Sequence, residues 1–355
     1  MNQLILTTNF GLEDLVADEF RRVADRAELV FDAVEEQPDG FEGQVRVVTD
    51  APAVESVSVC RELRSIHHIL RYIRRFDIGD DEPLDRIYEG VFEQDIPEMA
   101  EAGSFRVTSN RHGEHAFTSM DVQDVAGQAL VDHYGTDVDL EEFDCEVRVD
   151  IIDRDCLIGV QYTRDSLSKR HPRVFSPKVS LKTNVAWAMV KLARLNRHGA
   201  ETLVDPFCGA GTILIEAAQL NPTLTVHGSD AWQKAADGAA VNADHAGVGE
   251  QVETFCRDAL ELSDHYEPGA VDAIITNPPF GLSLHKDTDF GQFYRRLLRE
   301  MVEVLAPGGR VVMLVDKRGV FRDALGDIPE LETRHVRIVE TGGIYPGMYV
   351  LQKEG

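Results

Sequence analysis

Between residues 202 and 315 the chain repeats one pattern: a short apolar run, a turn, then a stretch with helical periodicity. The strand candidates are Thr202–Val204, Thr225–Gly228, Val252–Cys256, Ala273–Thr276 and Arg310–Leu314, with helical segments between them. Strands interleaved with helices imply a parallel sheet. They also imply a ligand crevice at the strands' C-terminal ends. Residues 334–340 and 348–352 read as a closing hairpin around Gly342-Gly343.

The first strand runs into Val204-Asp205-Pro206-Phe207-Cys208-Gly209-Ala210-Gly211-Thr212, and an apolar helix, Ile213 to Ala218, follows. Gly209 and Gly211 lack side chains, so backbone can approach a ligand closely. The helix N-terminus offers free N–H groups to the ligand's polar end. A dinucleotide site uses a different glycine pattern, and a P-loop needs a Gly-Lys-Ser/Thr that is missing here. The second strand ends at Gly228-Ser229-Asp230, where a carboxylate can accept two hydrogen bonds from ribose hydroxyls. The third ends at Cys256-Arg257-Asp258-Ala259, where an acid can accept from an adenine amino group. The plain alternatives are a helix N-cap for Asp230 and a strand terminator for Asp205-Pro206. Suitable residues at three successive strand ends favour a cofactor site.

The fourth strand closes on Ile274-Ile275-Thr276-Asn277-Pro278-Pro279-Phe280-Gly281. An exocyclic amine on a base is a poor nucleophile, because its lone pair is delocalised into the ring. The Asn277 side-chain carbonyl and the Pro278 backbone carbonyl can accept the two amine hydrogens, fixing the nitrogen and aiming it at an electrophilic methyl. Catalysis is then positioning plus electrostatics. Asn277 has no useful basicity, so it is not a general base. The prolines hold the loop rigid, and Phe280 can stack on a flipped base. Adenine N6, guanine N2, cytosine N4 and a glutamine amide all fit such a loop. The bland alternative is a proline-rich turn after a strand.

The first 167 residues have a different texture. Residues 1–80 alternate short apolar runs (Leu4-Ile5-Leu6, Val45–Val48) with an amphipathic helix that opens at Gly11-Leu12 and buries Leu12, Leu15, Val16 and Phe20. Residues 81–167 form a second small α+β unit. It has a strand at Phe105-Arg106-Val107, a helix from Asp121 to Tyr134, and a strand from Glu146 to Ile151 whose strict alternation predicts one wet face. Leu157–Val160 is its hairpin partner.

Acidic residues number 62 and basic residues 36, a formal net charge of −26, with the acids spread along the whole chain. Such self-repulsion destabilises a compact fold in dilute buffer, and salt screens it. A halophilic source with a salt-rich cytoplasm is the expectation; the plain alternative is an acidic mesophilic protein. The five cysteines are odd in number and scattered without metal-ligand spacing, which suits free thiols in a reducing cytosol. No apolar run is long enough to span a bilayer, the N-terminus does not read as a signal peptide, and the histidines form no metal set. Trp187 and Trp232 read as packing residues; for Trp232, two residues past Asp230, the alternative is to flank an adenine. Against the acidic background two basic clusters suit phosphate contacts. One is Arg61, Arg64, Arg71, Arg74 and Arg75; the other is Lys169, Arg170, His171, Arg173, Lys178 and Lys182. For both clusters, solvated ion pairs with local acids are the alternative.

At these residues the chain resembles a known family. The C-terminal part is similar to Rossmann-like class I amino-methyltransferases. The N-terminal part resembles the THUMP-containing RNA methyltransferases in Gly11-Leu12-Glu13, in Phe105-Arg106-Val107 with Arg111-His112-Gly113, in Ser166 to Arg173, and in Leu181 to Ala186. The resemblance implies an α/β fold: a Rossmann-like class I methyltransferase domain (168–355) preceded by ferredoxin-like (1–80) and THUMP (81–167) α+β domains. It implies S-adenosylmethionine, held by Asp205, Pro206, Phe207, Cys208, Gly209, Ala210, Gly211, Thr212, Asp230, Asp258, Ala259 and Thr183. It implies catalysis by Asn277, Pro278, Pro279 and Phe280, and RNA contacts from Lys169, Arg170, Arg173, Lys178 and Arg111. Within the family, guanosine-10 N2-methyltransferases usually carry Asp-Pro-Pro-Tyr, and guanosine-6 N2-methyltransferases usually carry Asn-Pro-Pro-aromatic. Asn277 and Phe280 lean towards guanosine-6. The implied partner is a structured RNA, the acceptor end of tRNA in particular, with no metal and no membrane, in the cytoplasm. Rival readings are a guanosine-10 or rRNA guanine enzyme, a DNA adenine or protein glutamine methyltransferase, and an RNA-binding THUMP protein without catalysis.

Overall fold

The computed structural model describes residues 2–171, 173–177, 180–195, 200–279 and 289–354. Two compact units emerge: Met1–Thr8 with Val16–Leu167, and Asn9–Leu15 with Ser168–Gly355.

The first unit is built on one nine-stranded sheet. Its strands are β1 (Asn2–Thr7), β2 (Ala33–Glu36), β3 (Gln44–Thr49), β4 (Ile69–Asp77), β5 (Ser104–Thr108), β6 (Arg111–His112), β7 (Asp137–Val138), β8 (Cys145–Ile152) and β9 (Asp155–Gln161). The order is β2-β3-β1-β4-β9-β8-β5-β7, with β6 on β8. With helices Glu13–Arg26 and Ala53–Cys60, the first four strands make a βαββαβ unit of ferredoxin-like type. Strand β4 then pairs antiparallel with β9, so this sheet continues into the next one. The helix that was expected to open at Gly11-Leu12 begins at Glu13 and runs to Arg26.

Two expectations are corrected in this unit. The alternation over Glu146–Ile151 does mark a strand, but its polar face is not wet: Glu146, Arg148 and Asp150 are 3%, 8% and 5% exposed. Among the described residues most of their polar atoms are paired internally, Glu146 Oε2 excepted. Arg148 Nε donates to both Asp150 oxygens at 3.0 and 2.9 Å, and Arg148 Nη1 donates to Gln161 Oε1 at 3.0 Å. Arg106 Nη2 donates to Glu146 Oε1 at 2.9 Å. Buried charges persist where such partners exist. The second correction concerns the first basic cluster, part of which lies on the unforeseen strand β4. Arg71 is paired bidentately with Glu98, Arg74 with Glu93 and Arg75 with Asp155. The ion-pair alternative accounts for these arginines.

The second unit has a seven-stranded sheet: β10 (Thr202–Asp205), β11 (Thr225–Asp230), β12 (Val252–Cys256), β13 (Val271–Thr276), β14 (Leu305–Val315), β15 (Leu331–Ile338) and β16 (Gly347–Lys353). The order is β12-β11-β10-β13-β14-β16-β15. Strands β10 to β14 are parallel, and β16 is antiparallel to both neighbours. Alternate residues face opposite sides. Leu203, Val226, Ala273, Ile275, Val312 and Leu314 meet the helices Thr183–Ala193, Thr212–Leu220 and Gln233–His245. Val204, Ile274, Val311 and Met313 meet the helices Phe290–Val304 and Arg318–Leu325. The order reverses between β10 and β13, and the crevice of such a sheet opens at that reversal, beyond the carboxyl ends of the strands. Trp187 is fully buried, as expected of a packing residue, whereas Trp232 is 54% exposed. No helix among the described residues is long and apolar enough to cross a membrane.

Candidate active site

The crevice starts from Asp205, the last residue of β10, which is 1% exposed. Its Oδ1 accepts from Thr276 Oγ1 at 2.7 Å and from Phe207 N at 3.1 Å. Thr276 is the last residue of β13, so one carboxylate ties together the two strand ends that flank the reversal. Burial pushes this carboxyl up to about 7, and the nearby Asp230 adds to the rise; the bonds from Thr276 and Phe207 oppose it.

The turn after Asp205 depends on its glycines. Gly209 and Gly211 have φ of +53° and +77°, the left-handed region that costs other residues strain. A Cβ on Gly211 would stand 3.1 Å from Ala239 Cβ. A Cβ on Gly209 would project into open space, with only Phe207 O at 4.0 Å. Gly209 N donates to Asp230 Oδ2 at 3.2 Å, and Asp230 Oδ1 accepts from Trp232 N at 2.9 Å. Asp230 is therefore no simple helix cap; it grips the glycine turn from the neighbouring strand end. Pro206, Cys208, Ala210 and Thr212 are buried, and Phe207 is half-buried. Burial pushes the Cys208 thiol well above its ordinary range. Asp258 caps the short helical turn Ala259–Asp264, its Oδ1 accepting from Leu260 N at 2.9 Å.

On the catalytic side, Asn277 follows Thr276 directly. Its Oδ1 is buried and has no hydrogen-bond donor among the described residues. A buried carbonyl oxygen without a partner is costly and calls for an explanation. Pro278 is buried and Pro279 half-buried beside it. Phe280, expected to stack on a base, lies outside the described residues, as does Lys178.

The remaining expected contacts divide. Thr183 is 3% exposed and donates its hydroxyl to Ser168 O at 2.6 Å, so it ties the entry of its helix to the preceding segment. Lys169 is exposed. Arg170 and Arg173, expected to meet phosphate, point inward instead. Arg170 Nη2 donates to Glu216 Oε1 at 2.9 Å, and the Glu216 side chain is wholly buried. Arg173 Nη2 donates to Leu181 O at 2.7 Å and to Thr212 Oγ1 at 3.1 Å. Both brace the helix that follows the glycine turn. Arg111 sits in the first unit, its Nη1 2.9 Å from His115 Nδ1.

Two residues that support the site were not singled out from the sequence. Asn242, 2% exposed, donates to Ala210 O at 2.9 Å and Phe175 O at 2.8 Å, and its Oδ1 accepts from the amides of Val174 and Phe175. It clamps the glycine turn to the segment before it. The signal is a lone asparagine at an inward position of an alanine-rich helix. At Gly228 any Cβ would collide with Leu214 Cδ1 and crowd Cys208, so glycine here sets how closely β11 approaches the helix after the turn.

This geometry can be set beside known proteins. The family described as "RMKL-like, methyltransferase domain" matches residues 170–346, and the THUMP domain matches residues 82–161. A tRNA (guanine(6)-N2)-methyltransferase of Thermus thermophilus is 35% identical over 348 residues, covering 98% of each chain. One of Archaeoglobus fulgidus is 31% identical over 315 residues, covering 79% of this chain and 78% of that one. The crystal structure of TrmN from Thermus thermophilus matches with a TM-score of 0.78 at 34% identity, covering 99% of this chain and 100% of that one. By its two domain matches and by relatives and a solved structure similar over almost its whole length, the chain belongs to the family of THUMP-containing tRNA (guanine(6)-N2)-methyltransferases.

Proposed function

We propose that the chain transfers the methyl group of S-adenosylmethionine to the exocyclic N2 amine of a guanine in tRNA, with position 6 in the acceptor end as the target. The observation that carries this reading is the buried Asn277 Oδ1, which has no donor among the described residues, one residue past the Thr276 hydroxyl that holds Asp205. It is an acceptor waiting for a donor at the edge of a glycine-lined crevice. The relatives named as tRNA (guanine(6)-N2)-methyltransferases supply the choice of acceptor.

The residues fit the cofactor. Space stands open over Gly209, Asp230 keeps lone pairs beyond its two backbone donors for ribose hydroxyls, and Asp258 keeps Oδ2 for an adenine amino group. When bound, S-adenosylmethionine supplies an electrophilic sulfonium methyl. The chain supplies position. Asn277 Oδ1 and Pro278 O accept the two amine hydrogens of the guanine, which turns the nitrogen lone pair out of the ring plane. The turn from Asp205 to Thr212 would hold the amino-acid end of the cofactor at the N-terminus of the helix that begins at Thr212, where first-turn N–H groups lack intrahelical acceptors. No side chain here acts as a base on the amine, and the proton leaves to water. Lys169 and Arg111 are the members of the expected basic set that we assign to phosphate; the ferredoxin-like (1–80) and THUMP (81–167) domains bind the tRNA, and the domain of residues 168–355 carries the transfer. The five free thiols suit a reducing cytoplasm.

Nucleoside mass spectrometry of tRNA from a strain lacking this gene tests the reading. N2-methylguanosine at position 6 disappears, and returns with the wild-type gene. An unchanged nucleoside profile would overturn the assignment.

A further inference from the structure

The catalytic edge of the sheet continues past β13. Thr276 of β13 pairs with Met313 of β14, and Met313 pairs with Tyr349 of β16. Two strand spacings separate β13 from β16, about 10 Å. The hairpin joining β15 to β16 turns over at this same end, because Ile338 and Val315 both stand opposite Gly347. Its tip carries Tyr345, which is 44% exposed. The ring of Phe10 backs it edge-on, with centroids 6.1 Å apart.

This tip is held rather than loose. Asn9 Nδ2 donates to Glu340 O at 2.9 Å and to Glu340 Oε2 at 2.7 Å, while Glu340 Oε1 accepts from Gly343 N at 2.7 Å. Glu340 N donates to Phe10 O at 3.0 Å. One glutamate thus fixes both the loop and the aromatic pair. Cations stand at the same edge, directly after β14. Lys317 Nζ lies 4.8 Å above the Phe290 ring, and the stem of Arg318 lies against Gly347. Arg318 is exposed. Asp316, directly before them, is exposed at the same strand end, so the edge carries two cations beside one carboxylate.

We propose that this rim grips the RNA strand bearing the target guanine: a neighbouring base stacks on Tyr345, and flanking phosphates meet Lys317 and Arg318. An exposed aromatic with adjacent cations is the combination that holds single-stranded nucleic acid. The rim lies beside the catalytic loop, so a base held there steadies a strand whose target has been turned out of its stack. The inference rests on the proposed function.

The test uses the full chain at high salt, with a tRNA transcript and labelled S-adenosylmethionine. Tyr345→Ala raises the KM for tRNA about tenfold, with cofactor affinity and thermal melting unchanged. Tyr345→Phe, which keeps the ring, behaves as wild type. The double variant Lys317→Ala, Arg318→Ala lowers the slope of log affinity against log salt by about 1.5. An unchanged KM in Tyr345→Ala overturns the inference, and so does a Tyr345→Phe variant that matches Tyr345→Ala, because the ring would then not be the working part. If wild type itself methylates no tRNA while binding cofactor, the proposed function fails first, and the two failures are distinct.

Discussion

Asp205→Asn isolates the electrostatic cost stored at the strand reversal. The Asp205 carboxyl is raised from an ordinary value of 3.8 to about 7, chiefly by burial and further by Asp230. The native state therefore keeps this proton over a range in which the unfolded chain has released it. By linkage, native stability falls as pH rises across that range. The contribution is whole below about 3.8, declines through about 7, and is lost above it. At about 1.36 kcal/mol per unit, a rise of about three units corresponds to roughly 4 kcal/mol. Asparagine cannot ionise, and its carbonyl can still accept from Thr276 Oγ1 and Phe207 N. The stability of Asp205→Asn relative to wild type should thus climb by about 1.4 kcal/mol per pH unit between pH 4 and 7, then level off. Urea unfolding in fixed high salt, followed by tryptophan fluorescence, measures it, because both tryptophans, Trp187 and Trp232, belong to the second unit. Groups common to both proteins cancel in the difference. A difference that stays flat across this range refutes a buried, protonated Asp205.

Other perturbations follow from the same geometry. Arg170→Ala removes the guanidinium paired with the buried Glu216 carboxylate, with His171 Nε2 still 3.5 Å from the same oxygen, and should cost about 3 kcal/mol in urea unfolding; an unchanged stability with a flattened salt dependence of tRNA binding would make Arg170 a phosphate contact. Gly228→Ala drives a methyl into Leu214 and Cys208 and should cost about 1–3 kcal/mol, read as a lowered melting temperature. The net charge of −26 predicts a melting temperature that climbs as KCl is raised towards molar concentration. A melting temperature indifferent to KCl removes the case for a salt-adapted chain.

The catalytic unit was legible where local chemistry and hydrophobic pattern coincide. Strands β10 and β13 are largely buried apolar runs, and the four strands β10 to β13 end on, or within two residues of, the polar residues proposed for the site: Asp205, Asp230, Asp258 and Asn277. The Asp205–Thr276 bridge was not legible, since it joins positions 71 residues apart and nothing local marks Thr276 as its partner. Strand β4 was missed because Arg71, Arg74 and Arg75 make its sequence look like a charged surface; their acids, Glu98, Glu93 and Asp155, come from distant parts of the chain. The same cause hid the dry polar face of β8, where Arg148, Asp150 and Gln161 satisfy one another. Arg170 and Arg173 misled in the same direction: basic residues in an acidic chain suggest phosphate, yet these two serve Glu216 and Thr212. Nor does the sequence show that Asn9–Leu15 joins the C-terminal unit, an association made by Leu12 in its core and by Arg337 against Asp14.

The central claim is that the amide oxygen of Asn277 pins the amine that receives the methyl group. It is tested most directly by incubating wild type and Asn277→Ala with tRNA and labelled S-adenosylmethionine, alongside a calorimetric titration of each protein with cofactor. The account predicts label in N2-methylguanosine with wild type, and cofactor binding without transfer in Asn277→Ala. Full transfer by Asn277→Ala, or label in a nucleoside other than a guanosine, contradicts it.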